Sequence, residues 1–148
     1  MTAPVLLVVD TNVVLDLFVF RDPRTEPLAA ALARGHLEWL ATAAMREELV
    51  RVLAYAHIAA RLAANGIEPS DVLEYFDART RMVAPPPKAM VTCTDADDQK
   101  FVDLAVTHKC LLLSKDAAVL ALRRRLIPFE VGVFAALPPA SSYSLIRS

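Results

Sequence analysis

Four acidic residues lie far apart in the chain but in similar local settings. Asp10 and Asp116 follow apolar runs, whereas Glu48 and Asp98 lie near the starts of helix-like segments. Clustered carboxylates repel one another unless a cation lies among them. Oxygen ligands without His or Cys favour Mg²⁺ or Mn²⁺ over zinc. Such an ion activates water and neutralises charge on a phosphoryl group, so these acids would suit hydrolysis of a phosphodiester.

The apolar runs predict the sheet that would bring these acids together. Residues 5–9 and 110–113 are apolar without alternation, which is typical of strands buried on both faces. Further strands are predicted at 37–41, 82–84 and 129–131. Helices are predicted at 11–20, 26–34, 43–55, 57–65, 71–81, 97–108 and 117–126. This alternation predicts an α/β fold in which a central, mostly parallel sheet of four to five strands is flanked by helices.

In such a sheet the carboxyl ends of the strands and the starts of the following helices share one edge. We therefore expect Asp10, Glu48, Asp98 and Asp116 to converge there. Each acid taken alone has a structural alternative, since an Asp after a strand often caps a helix and a helical Glu often faces solvent. Three neighbouring polar residues are candidates to orient the acids through hydrogen bonds: Asn12, Thr42 and Ser114.

Length and composition indicate one domain. The chain has 148 residues, of which 55% are hydrophobic, and no apolar run reaches the eighteen or so residues that span a bilayer. The N-terminus lacks the features of a signal peptide, so we expect a cytoplasmic protein with no membrane association. We assign residues 1–137 to the domain and expect 138–148 to form a flexible tail. Cys93 and Cys110 lack the spacing of a metal or redox site and are predicted to be buried thiols.

The four acidic blocks resemble the PIN domain, a metal-dependent ribonuclease fold, and in particular its branch of bacterial toxin–antitoxin toxins. The blocks are VVDTN at 8–12, ELVRVL at 48–53, DADDQKFVDLA at 95–105 and LLSKD at 112–116. All four occur in order, and the resemblance covers residues 4 to 135. It implies a PIN-like three-layer sandwich that hydrolyses single-stranded RNA. It also implies that the protein often forms a homodimer and that an antitoxin protein blocks the site.

The resemblance also implies that Asp10, Glu48, Asp98 and Asp116 bind the metal and support catalysis. Two assignments have competitors. Glu47 competes with Glu48, and both Asp95 and Asp97 compete with Asp98. Members of this branch often carry a further acid two residues past the fourth, where this chain has Ala118. Ala118 argues against a second metal contact at that position but leaves the four acids in place.

Basic residues near the fourth block are candidates for RNA contact. They are Lys115, Arg123 and Arg124, and phosphate contacts of this kind supply affinity without reading sequence. A run of arginines is more often a solvated helix end, because cations suit a helix C-terminus. The net charge of −1 gives no general basic field.

Two other protein classes with a similar first strand, a phosphatase and a response-regulator receiver, do not match this sequence. A phosphatase that starts with a strand ending on Asp would need a second Asp where Asn12 lies, and a response-regulator receiver would need acids in place of Val8 and Val9. The alternatives are a different Mg-dependent phosphoryl hydrolase and a non-catalytic PIN-fold module that binds a partner or RNA.

Three aromatic residues are predicted to lie in the core or at a dimer contact: Trp39, Phe18 and Phe20.

Overall fold

The computed structural model of the chain describes residues 3–143. Its five strands form one parallel sheet in the order β3-β2-β1-β4-β5. The strands are β1 (Val5–Val9), β2 (Leu37–Ala41), β3 (Thr80–Met82), β4 (Leu111–Leu113) and β5 (Gly132–Phe134). The flanking helices are α1 (Thr11–Phe18), α2 (Glu26–Ala33), α3 (Ala43–Leu53), α4 (Ala56–Ala64), α5 (Pro69–Arg79), α6 (Gln99–His108), α7 (Ala117–Leu120) and α8 (Arg123–Leu126). The predicted α/β fold with a central sheet flanked by helices is confirmed.

The centre of the sheet is the pair β1 and β4. All of β4 and the second half of β1 are buried, and Val9 lies opposite Leu113 in parallel register. The backbone N–H of Asp10 extends this ladder by donating to the Leu113 carbonyl at 2.9 Å. The chain leaves β1 on one side to build β2 and β3 and returns on the other side to build β4 and β5. The carboxyl ends of β1 and β4 therefore form the switch point where open α/β sheets bind ligands.

Aromatic packing supports the other half of the sheet. Trp39 on β2 is almost fully buried and contacts Phe76 edge to face, with ring centroids 5.3 Å apart. Phe18 stacks on Trp39 at 6.1 Å and on Tyr75 at 5.6 Å. Trp39 is thus a core residue, as expected, and the half-buried Phe18 and Phe20 pack against that core.

A long segment without regular structure, residues 83–95, is attached to α6 by two side chains. Gln99 accepts from the Cys93 N–H at 2.6 Å and donates to the Val91 carbonyl at 3.0 Å. Asp103 accepts from the Ala89 N–H at 2.8 Å and from the Gln99 amide at 2.8 Å. These bonds fix the approach of the chain to Asp95–Asp98. Cys93 and Cys110 are buried, as predicted.

Several element boundaries differ from the prediction. The third strand is Thr80–Met82 rather than 82–84, because it is a largely exposed edge strand defined by its bonds to β2 rather than by apolar residues. The last strand is Gly132–Phe134 rather than 129–131. Phe129 ends a 3-10 turn that contains Pro128, and Glu130 adopts a left-handed conformation (φ 61°) before the strand starts.

Two helical predictions also need correction. The segment predicted as one helix over 117–126 forms two four-residue helices, α7 and α8, separated by a turn. Helix α5 begins one residue before Ser70, and its N-cap is Glu68, which forms a capping box with Asp71. The helix predicted over 71–81 therefore lies at Pro69–Arg79.

The predicted tail begins inside the described part of the chain. Ala140–Ser142 forms a 3-10 turn, and Tyr143 packs against the core. Residues 144–148 of that tail lie outside the described residues. Within residues 3–143, every helix is too short or too polar to cross a membrane.

Candidate metal centre

Asp10 lies at the switch point as the last residue before α1. Its side chain is buried, Oδ2 accepts from the Ser114 hydroxyl at 2.6 Å, and Oδ1 accepts from the Asn12 N–H at 3.4 Å. Burial raises the pKa of the Asp10 carboxyl. The two hydrogen bonds oppose this rise, and the charges of Glu48 and Asp116 add to it. Asp10 does cap α1, but its electrostatic neighbours show that it also belongs to an acidic cluster.

Ser114 connects the acids at the ends of β1 and β4. Its fully buried hydroxyl donates to Asp10 and accepts from the Asp116 N–H at 3.1 Å. Asp116 in turn caps α7, where Oδ1 accepts from the Ala118 N–H at 2.8 Å. Ser114 therefore positions both the carboxylate of Asp10 and the backbone of Asp116.

Asp98 enters the cluster from the 3-10 turn Ala96–Asp98, which leads into α6. The residue is only 8% exposed, and its Oδ2 is the one buried side-chain polar atom without a hydrogen-bond partner in the described part of the chain. Burial raises the pKa of Asp98 to about 7, and the charges of Asp10 and Asp116 contribute to the rise. An isolated buried carboxylate oxygen that faces other carboxylates is a costly arrangement in the absence of a cation.

The ligand geometry fits a hard divalent ion. Carboxylate oxygens of Asp95, Asp98 and Asp116 lie within 4.8 Å of one another. A cation among them would pair the orphaned oxygen of Asp98 and offset the mutual repulsion. Oxygen-only donors are those that Mg²⁺ and Mn²⁺ prefer. Asp95, which the sequence offered as a competitor of Asp98, lies in this group together with Asp98.

Glu48 lies beside Asp10 but outside that group of three. Its Oε2 accepts from the Thr11 hydroxyl, and its Oε1 accepts from Lys100 Nζ at 3.0 Å. Neither partner was expected from the sequence. The competing Glu47 is exposed and lines a groove on the outer side of α3. The structure therefore turns Glu48, rather than Glu47, towards the acids.

The three residues predicted to orient the acids behave differently from one another. Ser114 contacts Asp10 directly. Asn12 contacts it through the backbone N–H, while the residue itself is exposed. Thr42 is buried at the N-cap of α3, but its side chain makes no capping hydrogen bond.

The predicted RNA-contact residues also differ. Lys115 forms an ion pair with the buried Asp16. Arg123 Nε donates to the Val133 carbonyl at 3.0 Å, and its guanidinium lies 5.8 Å from the centre of the Phe134 ring. Arg124 is exposed. Arg123 thus has a clear structural role in holding α8 against β5.

A family model described as a PIN domain matches residues 6–118, which is more than half of the chain. The chain belongs to the PIN domain family. PIN domains are generally nucleases and typically use divalent metals. All four acids of the PIN motif blocks fall within the matched residues, whereas Arg123 and Arg124 follow them. Neither a curated protein nor a solved structure matches the chain significantly.

Proposed function

We propose that this PIN domain is a metal-dependent endoribonuclease that hydrolyses phosphodiester bonds of single-stranded RNA. The observation that carries the proposal is the buried, unpaired oxygen of Asp98 within a group of carboxylates at the switch point. The choice of RNA, rather than DNA, is supported by the resemblance of the four motif blocks to ribonuclease members of the family.

Asp95, Asp98 and Asp116 are the proposed ligands of Mg²⁺ or Mn²⁺, and Asp10 lies adjacent to them. When bound, the ion supplies a water of lowered pKa and neutralises charge on the scissile phosphate. Ser114 keeps Asp10 oriented towards the cluster through its 2.6 Å hydrogen bond. Glu48, the acid of the second motif block, lies at the α1 side of the site and is held there by Thr11 and Lys100.

Cleavage of a labelled single-stranded RNA in Mn²⁺ tests the proposal. We expect cleavage that chelator abolishes, and a loss of about 100-fold or more in Asp98→Asn, because metal stabilisation of the transition state supplies several kcal/mol. Asp97→Asn is the matched control, since Asp97 is the exposed neighbour in the same turn. Wild-type cleavage by Asp98→Asn would refute the assignment. RNA binding without cleavage would indicate the non-catalytic module instead.

Three further parts of the proposal rest on the resemblance: a role as the toxin of a toxin–antitoxin pair, an antitoxin partner and a homodimer. A cytoplasmic location is a further part of the proposal, and it rests on the N-terminal sequence rather than on the resemblance. A small protein encoded beside this gene that co-purifies with the chain and inhibits RNA cleavage would support the toxin role. Light scattering of the purified chain tests the homodimer, and a monomer at cellular concentration would contradict it.

A further inference from the structure

Lys100 fixes an ammonium group at the edge of the acidic cluster. Its Nζ donates to Glu48 Oε1 at 3.0 Å and to the Asp97 carbonyl, and it lies 4.9 Å from the centre of the Phe101 ring. The Lys100 side chain is 25% exposed and that of Glu48 is 17% exposed. An ammonium held by two acceptors and a ring face is not a mobile surface charge, and its charge is only partly screened by water.

Both oxygens of Glu48 are already in use. Oε1 pairs with Lys100, and Oε2 accepts from Thr11 at the start of α1. Among residues 3–143, the acidic oxygens that lie close enough together to share an ion belong to Asp95, Asp98 and Asp116. The acidic site therefore has two sides. One side has an orphaned carboxylate oxygen, and on the other a carboxylate is paired with a cation from the chain.

We propose that Lys100 is the permanent counter-ion of Glu48 and that the site consequently holds one divalent cation rather than two. A second cation at Glu48 would have to displace the Lys100 ammonium or lie next to it, and like charges at such short range repel strongly. The inference rests on the proposed metal function, and it concerns how many ions the same site takes.

Counting Mn²⁺ bound to the metal-stripped full chain by titration calorimetry tests this inference. We expect one Mn²⁺ per chain in wild type and two in Lys100→Met, which removes the charge but keeps the apolar stem over Phe101. Lys100→Gln, a neutral polar replacement, serves as a second variant and should also bind two. Lys100→Arg keeps the cation and should bind one. Lys109→Met removes a lysine that pairs with Glu130, and it should leave the count at one.

The double variant Glu48→Gln with Lys100→Met identifies where the second ion binds, and its count should return to one. The inference is overturned if wild type binds two ions, if the folded Lys100 variants bind one, or if the double variant still binds two. Absence of any bound Mn²⁺ in wild type would refute the metal centre itself, and with it the proposed function. Circular dichroism verifies that each variant is folded before its ions are counted.

Discussion

Replacing Asp98 by Asn should stabilise the metal-free protein at pH 8. The pKa of Asp98 rises from 3.8 to about 7, firstly because the carboxyl is buried and secondly because Asp10 and Asp116 lie close. A rise of this size corresponds to about 4 kcal/mol at 1.36 kcal/mol per pKa unit. Solvent reaches the cluster through the exposed Asp95 and screens these charges. We therefore expect Asp98→Asn to raise the free energy of unfolding by about 1–2 kcal/mol.

The sign of the pH dependence follows from the direction of this shift. The folded-state pKa lies above the unfolded value, so the cost of ionising Asp98 grows as pH rises from about 4 to about 7 and is constant above that. The advantage of Asp98→Asn should therefore be largest at pH 8 and should shrink as pH falls towards 4.

Urea denaturation in the presence of chelator, at pH 8 and pH 5, measures this effect. Each kcal/mol should also raise Tm by roughly 2–4 °C in a chain of this size. With Mn²⁺ the order should reverse, because an ion that binds only the folded state stabilises wild type by about 2.7 kcal/mol at 100 times its Kd. Asp97→Asn is the control, and its free energy of unfolding should differ little from that of wild type. If Asp98→Asn is less stable than wild type at pH 8 in chelator, the electrostatic reasoning is refuted.

Three further predictions concern hydrogen bonds and surface charge. Ser114→Ala should weaken Mn²⁺ affinity about 10–100-fold, because the Ser114 hydroxyl orients Asp10 beside the site and accepts from the backbone N–H of the proposed ligand Asp116. An unchanged Kd by calorimetry would contradict this. Arg123→Gln should cost about 1 kcal/mol of stability through the lost bond to Val133, measured by urea denaturation. Arg124→Gln should instead leave the free energy of unfolding unchanged and reduce the slope of log K for RNA binding against log salt concentration by about 0.7. If neither variant differs from wild type, both the structural role of Arg123 and the RNA contact of Arg124 are wrong.

The two central strands of the sheet could be predicted because their apolar composition shows that they are buried. Residues 5–9 and 110–113 are apolar on both faces, and the acid that follows each run marks a carboxyl end. The bounds of the outer strands are less clear from the sequence. β3 is an edge strand with largely exposed side chains, and β5, although mostly buried, begins only after Glu130 in its left-handed conformation. Their positions depend on hydrogen bonds to a neighbouring strand, which a single sequence does not display.

The candidate site could be predicted as a set of acids but not as a network. The contacts of Glu48 with Thr11 and Lys100 join residues 37 and 52 positions apart. Such pairs follow from tertiary packing and leave no local pattern. The tether formed by Gln99 and Asp103 is similar, because it is the fold that brings segment 83–95 against α6. The convergence of strand ends, by contrast, follows from parallel topology alone.

The most direct test of the metal centre is a crystal structure grown with Mn²⁺, with data collected at the manganese absorption edge. We expect one anomalous peak per chain, coordinated by carboxylate oxygens of Asp98 and Asp116, with the Lys100–Glu48 ion pair intact beside it. A map without a peak at these carboxylates, in crystals that hold Mn²⁺ elsewhere on the chain, would contradict it.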